Sequence, residues 1–350
     1  MKTDMGSHPF PSVPPLDVQA MELARQRWTT RAMPPGALGR LQELGVHLAG
    51  VTGRCPAPAP RNPVVVVFAG DHGVVADGAS AWPSEITAAM VATVSQGGAA
   101  ISVFAEAVGA EVVVVDVGVK SPLEPLPNVR AERVADGTAS IATGAAMTPE
   151  QAEAAVAVGT RIASEQIEAG ADCLIGGDLG IGNTTAAAAL IGAFARRSAH
   201  EVTGSGAGVP AGGLDHKCRL VASAIRRTED CLEPLDKLAS AGGLEIAALA
   251  GLFMAAAQNR VPYIVDGVIA GAALCAADAL APGTAAHGIA GHRSSEPAAS
   301  IALDHLGLNP LLDLNLRLGE GTGACLAIPL VQSAARALAE MADLPGPGQV

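Results

Sequence analysis

Aromatic residues account for only 2% of this 350-residue chain, and only six of its residues are cysteines. The cysteines stand far apart and form neither a C-x-x-C pair nor a Cys/His cluster, which indicates a reducing, cytoplasmic setting with thiols packed as small apolar groups. His287, His292 and Glu296 resemble zinc ligands only loosely, because no H-E-x-x-H or comparable spacing joins them. The sequence therefore predicts no metal and no cofactor.

Basic clusters and long apolar runs are also lacking. The formal net charge is -12 at pH 7, and no cluster of Lys and Arg exceeds the doublets at 196–197 and 226–227. The longest unbroken apolar run, residues 246–257, is shorter than the ~18 residues needed to span a bilayer. We therefore expect neither nucleic acid nor a membrane as a partner.

Hydrophobic residues nonetheless make up 49% of the chain. Apolar runs at 64–68, 112–115, 173–175 and 263–265 each end in a polar loop that contains glycine and aspartate, and helical patterns lie between them. One helix should begin at Thr148, where Pro149 and Gln151 complete a capping box. This alternation predicts an α/β, Rossmann-like fold with a doubly wound parallel sheet, whose ligands bind beyond the carboxyl ends of the strands.

The two chain ends differ from this middle part. Residues 1–16 contain several prolines and predict a disordered leader. Residues 17–60 have helical spacing on both sides of a break at 33–36, and a last long helix spans about 323–342. We interpret these end segments as one small helical domain, and residues 61–322 as the large α/β catalytic domain.

Residues 176–185, GGDLGIGNTT, lie between a predicted strand and an Ala-rich helix. Free backbone N–H groups and the helix dipole would meet an anion there, which favours a phosphate site. The segment is neither a Walker A loop nor a G-x-G-x-x-G fingerprint, and a tight turn capped by Asn183 and Thr184 is an equal alternative. Lys217, near further glycines, is either a phosphate ligand or a solvated surface lysine.

Residues 317–323, RLGEGTG, place a carboxylate among three glycines at the start of the last helix. The glycines leave Glu320 uncrowded, so that it could approach a ligand. Taken alone, a glutamate at this position is more often a cap that stabilises the helix dipole. Asp71 and His72 could form a catalytic dyad, but adjacent residues on an extended chain point apart, which favours a structural turn.

Five motifs occur in an order and at a spacing that together resemble a known family, although no single motif would be sufficient evidence. They are PPGALGRL at 34–41, FAGDHGV at 68–74, GGAAI at 97–101, GIGNTT at 180–185 and RLGEGTGA at 317–324. In order and spacing, from about residue 17 to 342, the chain closely resembles the nicotinate-nucleotide:dimethylbenzimidazole phosphoribosyltransferase family.

This resemblance implies a pentosyltransferase that moves the phosphoribosyl group of nicotinate mononucleotide to 5,6-dimethylbenzimidazole, during assembly of the lower ligand of cobalamin. It also implies a homodimer with active sites near the subunit interface. Its catalytic base would be Glu320. Phosphate and ribose would be bound by Asp178, Gly180, Gly182, Asn183, Thr184, Thr185, Gly204, Lys217 and Ser294, and the base by Trp82, Met90, Leu318 and Gly319.

Three departures limit the comparison with the family, and two other functions compete with it. Met33 stands where many relatives have lysine, and Asp178 replaces the glutamate found in some. Trp82 and Met90 fall in the region that frames the base, so the preferred acceptor base does not follow from the sequence. An NAD(P)-dependent oxidoreductase would share the sheet and the glycine-rich turns, but its fingerprint is missing. A nucleotide-binding regulatory module would keep the fold without turnover.

Overall fold

The computed structural model describes residues 10, 12–209 and 212–344, and within these ranges it contains six β-strands and thirteen α-helices. The strands are β1 Pro63–Gly70, β2 Glu111–Gly118, β3 Val129–Ala131, β4 Cys173–Leu179, β5 Tyr263–Val265 and β6 Gly288–Ala290. The helices are α1 Val18–Thr30, α2 Arg40–Thr52, α3 Glu85–Ser95, α4 Ala100–Val108, α5 Pro149–Glu168, α6 Asn183–Ala195, α7 Ala199–Val202, α8 Gly213–Thr228, α9 Pro234–Ala241, α10 Leu244–Gln258, α11 Val268–Leu280, α12 Pro297–Leu306 and α13 Thr322–Glu340.

The six strands form one parallel sheet in the order β3-β2-β1-β4-β5-β6. This is the strand order of the doubly wound Rossmann fold, and the order reverses between β1 and β4. The predicted fold class is therefore confirmed, and the four predicted strands correspond to β1, β2, β4 and β5. The sequence did not predict the edge strands β3 and β6, because Arg130 interrupts the apolar run of β3 and no aspartate-containing loop follows β6.

Helices cover both faces of this sheet, which explains why the sequence of β1 is apolar throughout. All eight residues of β1 are buried. Val64, Val66 and Phe68 pack into the layer that contains α5, α6, α10 and α11, whereas the alternate residues 65, 67 and 69 pack against α2, α4 and α13. Since side chains alternate across a strand, a strand that is covered on both sides must be apolar at every position.

Small residues allow the helices of the first layer to approach closely. A Cβ atom at Gly159 of α5 would overlap the carbonyl of Ala248 in α10, and one at Gly251 would overlap the carbonyl of Val156. The many alanines and glycines of the sequence thus fit tight helix crossings.

At α5 the predicted capping box is present, with the Thr148 hydroxyl accepting from the backbone N–H of Gln151.

The two chain ends meet on the second layer. Arg27 of α1 donates hydrogen bonds to the carbonyls of Leu338 and Ala339 near the end of α13, at 2.8 and 3.1 Å. Trp28 packs with Leu338 in a small apolar cluster. Of the predicted leader, residues 1–9 and 11 lie outside the described residues. Residues 12–16 form no regular secondary structure, and Arg260 donates to the carbonyl of Pro15.

Two helical stretches, 85–108 and 322–340, are long and apolar enough to cross a bilayer by length and composition alone. Core helices meet the same criterion, so it assigns no membrane by itself. The second stretch is α13, more than half of whose apolar window is buried on the sheet, whereas only 28% of the corresponding window in 85–108 is buried. The helices α3 and α4 thus present an uncovered apolar surface, on which Val103 is 55% exposed.

Candidate active site

A cavity of about 410 Å³ opens at the carboxyl ends of β4 and β5, next to the point where the strand order reverses. Larger grooves of about 880 and 750 Å³ lie beside α13 and between α1 and α2, but the described residues that line them include no buried carboxylate. The smaller cavity instead contains three, Asp178, Glu296 and Glu320. Its position in the sheet and its buried charges make it the candidate site.

The glycine-rich loop at 180–185 forms the first wall of this cavity and leads directly into α6. Gly182 is the N-cap residue with φ of +93°, a left-handed conformation that favours glycine. A Cβ atom at Gly180 would overlap the carbonyl of Gly70 on β1, so this close approach also requires glycine. Asn183 and Thr184, the first residues of α6, line the cavity, so the positive end of the helix dipole lies beside it, which suits an anion.

Lys217 of α8 reaches this loop from below. Its side chain is only 1% exposed, and its Nζ donates to the Thr184 hydroxyl at 2.9 Å. Burial lowers the pKa of Lys217 to about 8, and the nearby Glu296 carboxylate partly opposes that shift. A small recess of about 30 Å³, lined by Gly182, Thr184 and Lys217 among others, adjoins the main cavity. The contacts favour a phosphate ligand over a solvated surface lysine.

Glu320 lies on the opposite side, in the turn that leads into α13, after the loop that follows α12. Three successive residues, 319–321, adopt left-handed conformations with φ of +87°, +62° and +87°. Glycine adopts this conformation readily, but for Glu320 it costs free energy, and strained residues of this kind cluster at functional sites. The turn also packs tightly on the sheet, because a Cβ atom at Gly177 would overlap the Glu320 carbonyl.

The Glu320 carboxylate itself is 4% exposed and accepts one hydrogen bond, from the backbone N–H of Ile101 at 3.3 Å. Burial raises its pKa, the Ile101 hydrogen bond opposes this shift, and the negative charge of Asp266 adds to it. A carboxylate with a raised pKa is a stronger base, which suits a group that accepts a proton.

Asp178 stands between the two walls, at the end of β4. Burial raises its pKa well above the ordinary value, the charges of Asp266 and Glu245 raise it further, and a hydrogen bond from Asn183 Nδ2 at 2.9 Å opposes these effects. The backbone carbonyl of Asp178 accepts from the Glu320 N–H at 3.2 Å. Asp178 therefore connects the glycine-rich loop to the turn that carries Glu320.

Apolar side chains close the remaining side of the cavity. Ile86 and Met90 of α3, together with Trp82, face Leu318 and Gly319 across it. Trp82 donates through Nε1 to the carbonyl of Ala207 at 3.4 Å, yet its side chain remains 51% exposed. A flat, weakly polar ring would fit such a wall, with the Trp82 indole at its open edge.

The structure brings together most of the site residues that the sequence predicted. The main cavity is lined by Trp82, Met90, Asp178, Gly180, Asn183, Thr184, Ser294, Leu318, Gly319 and Glu320, and the adjoining recess by Gly182 and Lys217. Thr185 lines neither, because its side chain is fully buried behind the loop. Gly204 also lines neither, and a Cβ atom there would overlap the Glu296 carboxylate.

Several residues of the site were missing from that prediction. They include Ile86, Asp266, His292, Glu296 and Arg317, and the cavity also contacts Val268 and Ile269 of α11. Of the three residues that loosely imitated zinc ligands, His292 and Glu296 line the cavity, whereas His287 lies elsewhere, with Nδ1 near the carbonyl of Gly283. Among the described residues, no group of three or more His, Cys, Asp or Glu side chains is arranged to hold a metal ion.

Asp71 and His72 point to different partners. Asp71 accepts from the Thr87 hydroxyl, and the His72 Nε2 lies 2.7 Å from a carboxylate oxygen of Glu245 on α10. The His72 side chain is buried directly beneath Gly182, at whose position a Cβ atom would lie 3.1 Å from the His72 Cβ. Burial lowers the pKa of His72, but the charge and hydrogen bond of Glu245, together with the charge of Asp71, outweigh burial and raise the pKa. These contacts agree with a structural turn beneath the loop at 180–185.

Comparison with known proteins assigns this arrangement to a family. The model of the DBI_PRT phosphoribosyltransferase family matches residues 13–346. The chain belongs to this phosphoribosyltransferase family. It is 47% identical to the nicotinate-nucleotide--dimethylbenzimidazole phosphoribosyltransferase of Salinispora tropica, over 96% of this chain and 97% of that one. It is 48% identical to the enzyme of the same name from Chloroflexus aurantiacus, over 94% and 93% of the two chains.

The structural comparison agrees. The crystal structure of CobT from Thermus thermophilus superposes with a TM-score of 0.90 at 45% sequence identity, covering 93% of this chain and 97% of that chain. Family membership therefore extends over almost the whole chain and includes both the sheet and the helices of the chain ends.

Proposed function

We propose that this protein transfers the 5-phosphoribosyl group of nicotinate mononucleotide to 5,6-dimethylbenzimidazole, which gives α-ribazole 5'-phosphate and nicotinate. The observation that carries the proposal is the position of Glu320. Its buried carboxylate lies between an anion-binding helix start and an apolar wall, in one cavity. A phosphoribosyl donor and a flat heterocyclic acceptor need this combination.

The donor phosphate binds at residues 180–185, with Lys217 supplying the positive charge. The start of α6 at Asn183 and Thr184 lies beside the Lys217 ammonium, which donates to the Thr184 hydroxyl, and Ser294 lines the same cavity. Asp178 stands between this subsite and Glu320, where the ribose would lie, because it accepts hydrogen bonds from Asn183 of the loop and from the Glu320 N–H. The acceptor ring then packs against Trp82, Met90, Leu318 and Gly319.

The chemistry needs one proton acceptor. While bonded to ribose, the pyridine nitrogen of the donor is cationic, so breaking the bond to ribose C1 returns the electron pair and releases a neutral ring nitrogen. C1 gains oxocarbenium character, and the bare nitrogen of the benzimidazole attacks it from the opposite face with inversion to the α-riboside. The N–H on the other ring nitrogen becomes acidic as the ring gains positive charge, and Glu320 accepts that proton.

We further propose that the protein acts as a cytoplasmic homodimer in the assembly of the cobalamin lower ligand. The low burial of the apolar helices α3 and α4, on which Val103 is 55% exposed, supports the dimer, because exposed apolar side chains are typical of an interface. Met90 of α3 lines the cavity and Trp82 lies at its edge, so a partner on this surface would stand near the active site. The net charge of -12 argues against nucleic acid as a partner.

A turnover assay tests the function. Purified protein is incubated with nicotinate mononucleotide and 5,6-dimethylbenzimidazole, and products are identified by liquid chromatography with mass spectrometry. We expect nicotinate and α-ribazole 5'-phosphate in equal amounts. Binding without turnover would indicate a regulatory module, and a redox reaction with NAD(P) would indicate the oxidoreductase that shares this fold.

A further inference from the structure

Two buried side chains near Glu320, those of Asp266 and His292, have no role in the proposed mechanism. Asp266 follows β5, and His292 follows β6; each is 3% exposed. The Nε2 of His292 lies 3.3 Å from the Asp266 Oδ1. The same oxygen accepts a hydrogen bond of 2.9 Å from the backbone N–H of Ala324, in the first turn of α13. Neither Asp266 Oδ2 nor His292 Nδ1 has a hydrogen-bond partner among the described residues.

The contact with Ala324 fixes the start of α13. The first N–H groups of a helix have no acceptor within the helix, and a side chain at the N-cap usually supplies one. Here the N-cap residue is Gly321, which has no side chain. Asp266 supplies the acceptor from a neighbouring strand end instead. Since Glu320 immediately precedes Gly321, this contact also fixes the backbone that carries the Glu320 carboxylate.

His292 packs against the same turn. A Cβ atom at Gly323 would overlap the His292 ring, so the last glycine of the RLGEGTG motif leaves room for the imidazole. The ring lies between the start of α13 and the cavity, whose lining includes His292. It therefore restrains Asp266 on one side and the Glu320 turn on the other.

Asp266 also changes the electrostatic field at the base. The groups that face Glu320 are Asp266 from β5, Asp178 from β4, His292 after β6 and the Ile101 N–H of α4, while Glu296 and Arg317 line the same cavity. Arg317 donates to the carbonyl of Gly206. The negative charge of Asp266 raises the pKa of Glu320, in addition to the larger effect of burial. A like charge nearby makes a carboxylate hold a proton more readily.

We propose that Asp266 and His292 are a positioning pair for Glu320: Asp266 fixes the start of α13 and places a second negative charge beside the proton acceptor, while His292 holds Asp266 in place. This inference rests on the proposed function, in which Glu320 is the base. It goes further, because it predicts that a residue without contact to the reacting atoms sets the pH range of the reaction.

Asp266→Asn separates the charge from the shape, since asparagine keeps an oxygen that accepts from Ala324. We expect the acidic limb of the kcat/KM profile to move to lower pH by roughly one unit, because Glu320 would lose its proton more easily. The KM for nicotinate mononucleotide should stay within about twofold of wild type. Asp116→Asn is the matched control: Asp116 is a buried strand-end carboxylate that accepts from Gly118 and Val119, and its replacement should leave the acidic limb unchanged.

An active Asp266→Asn enzyme whose acidic limb coincides with wild type would overturn the proposal. If circular dichroism shows that this variant is unfolded, His292→Asn is tested instead. We expect it to lower kcat ~10-fold or more at unchanged nucleotide KM, because the Glu320 turn is displaced. An unchanged kcat in folded His292→Asn would equally overturn it. Glu320→Gln is measured alongside. A full rate in that variant rejects Glu320 as the base, whereas a lost rate combined with an unshifted Asp266→Asn profile rejects only the positioning pair.

Discussion

The carboxylate of Glu320 accepts its hydrogen bond from the backbone N–H of Ile101, a residue 219 positions earlier in the chain. Ile101 belongs to the first turn of α4 and is the last residue of the GGAAI motif. This contact joins two motifs that the sequence separates widely. It occupies one oxygen of the carboxylate, so the other oxygen is available to accept a proton from the acceptor ring.

Glu320→Gln should abolish most turnover while nucleotide binding and thermal stability remain close to wild type. Glutamine keeps the shape of the side chain but cannot accept the proton, so kcat should fall at least ~100-fold. The acidic limb of the rate profile should disappear with it, because burial raises the pKa of Glu320 and that group controls the limb. Glu340→Gln, on the exposed end of the same helix, is the control and should keep the full rate.

The alternative role for Glu320, a helix cap, makes a different prediction for the same variant. Losing a favourable charge at a helix start costs about 1 kcal/mol or less of stability and leaves the rate nearly unchanged. A Glu320→Gln enzyme with near wild-type rate and an unaltered pH profile would remove Glu320 from the mechanism. Asp178, on the same strand edge, would then be the next candidate base.

Lys217→Met should raise the KM for nicotinate mononucleotide by at least ~10-fold and change the KM for the base much less, because a charge-assisted hydrogen bond to phosphate is lost. The pH dependence adds a second readout. With a pKa of about 8, Lys217 becomes neutral as the pH rises above 8, so wild-type kcat/KM for the nucleotide should fall there. Steady-state kinetics from pH 6 to 9 measures both effects.

The matched control for that variant is Lys237→Met, since Lys237 of α9 lies over the Phe194 ring of α6 and lines neither part of the site. It should leave both Michaelis constants unchanged. If Lys217→Met keeps the wild-type nucleotide KM across the pH range, the phosphate is bound elsewhere.

Trp82→Ala should weaken the acceptor base more than the nucleotide, with a KM for the base that rises ~10-fold, because the apolar wall loses its largest side chain. Changes in ring methylation should be tolerated, since each methyl group contributes only ~1 kcal/mol. Leu232→Ala, at an exposed position outside the cavity, serves as the control. Crystals soaked with base in which Trp82 and Met90 lie far from the ring would contradict this assignment.

Turnover should persist in excess EDTA. The mechanism releases a neutral pyridine nitrogen, so it needs no metal to stabilise a leaving group. Assays with and without chelator, after dialysis, test this expectation. Loss of activity that added magnesium or zinc restores would require a different mechanism.

Acid should destabilise the contact between α2 and the edge of the sheet at β6. Burial lowers the pKa of both His47 and His287. Repulsion from the His287 imidazole also contributes to the lowered pKa of His47. Groups with depressed histidine pKa values bind more protons when unfolded, so stability should be lost as the pH falls below about 6.5. His47→Gln should reduce the drop in Tm between pH 7.5 and 5.5, measured by thermal unfolding.

His305→Gln, which replaces an exposed histidine on α12, is the control. Its Tm should fall between pH 7.5 and 5.5 by the same amount as that of the wild type. Identical acid sensitivity in His47→Gln and wild type would show that this contact does not respond to pH.

The sequence alone determined the class of the fold. The valine-rich run at 64–68 is apolar at every position because both faces of β1 are covered, and such runs separated by helical patterns indicate a parallel sheet. Local chemistry also fixed the start of α5, since a capping box depends only on residues within one helical turn. The two edge strands were not predicted, because neither β3 nor β6 is an unbroken apolar run that ends in a loop with aspartate and glycine, the pattern that did indicate the equally short β5.

The glycine-rich motifs likewise indicated most of the candidate site, because a phosphate-binding turn and a carboxylate in a left-handed conformation both require local glycines. The tertiary structure decided the rest. That Lys217 is buried against Thr184, that Ile101 contacts Glu320, and that Asp266 caps α13 depend on segments far apart in the chain. Such contacts arise only when the sheet brings strand ends together. The buried site also has a low dielectric constant, which shifts the pKa values of the groups inside it, and no local sequence pattern indicates that environment.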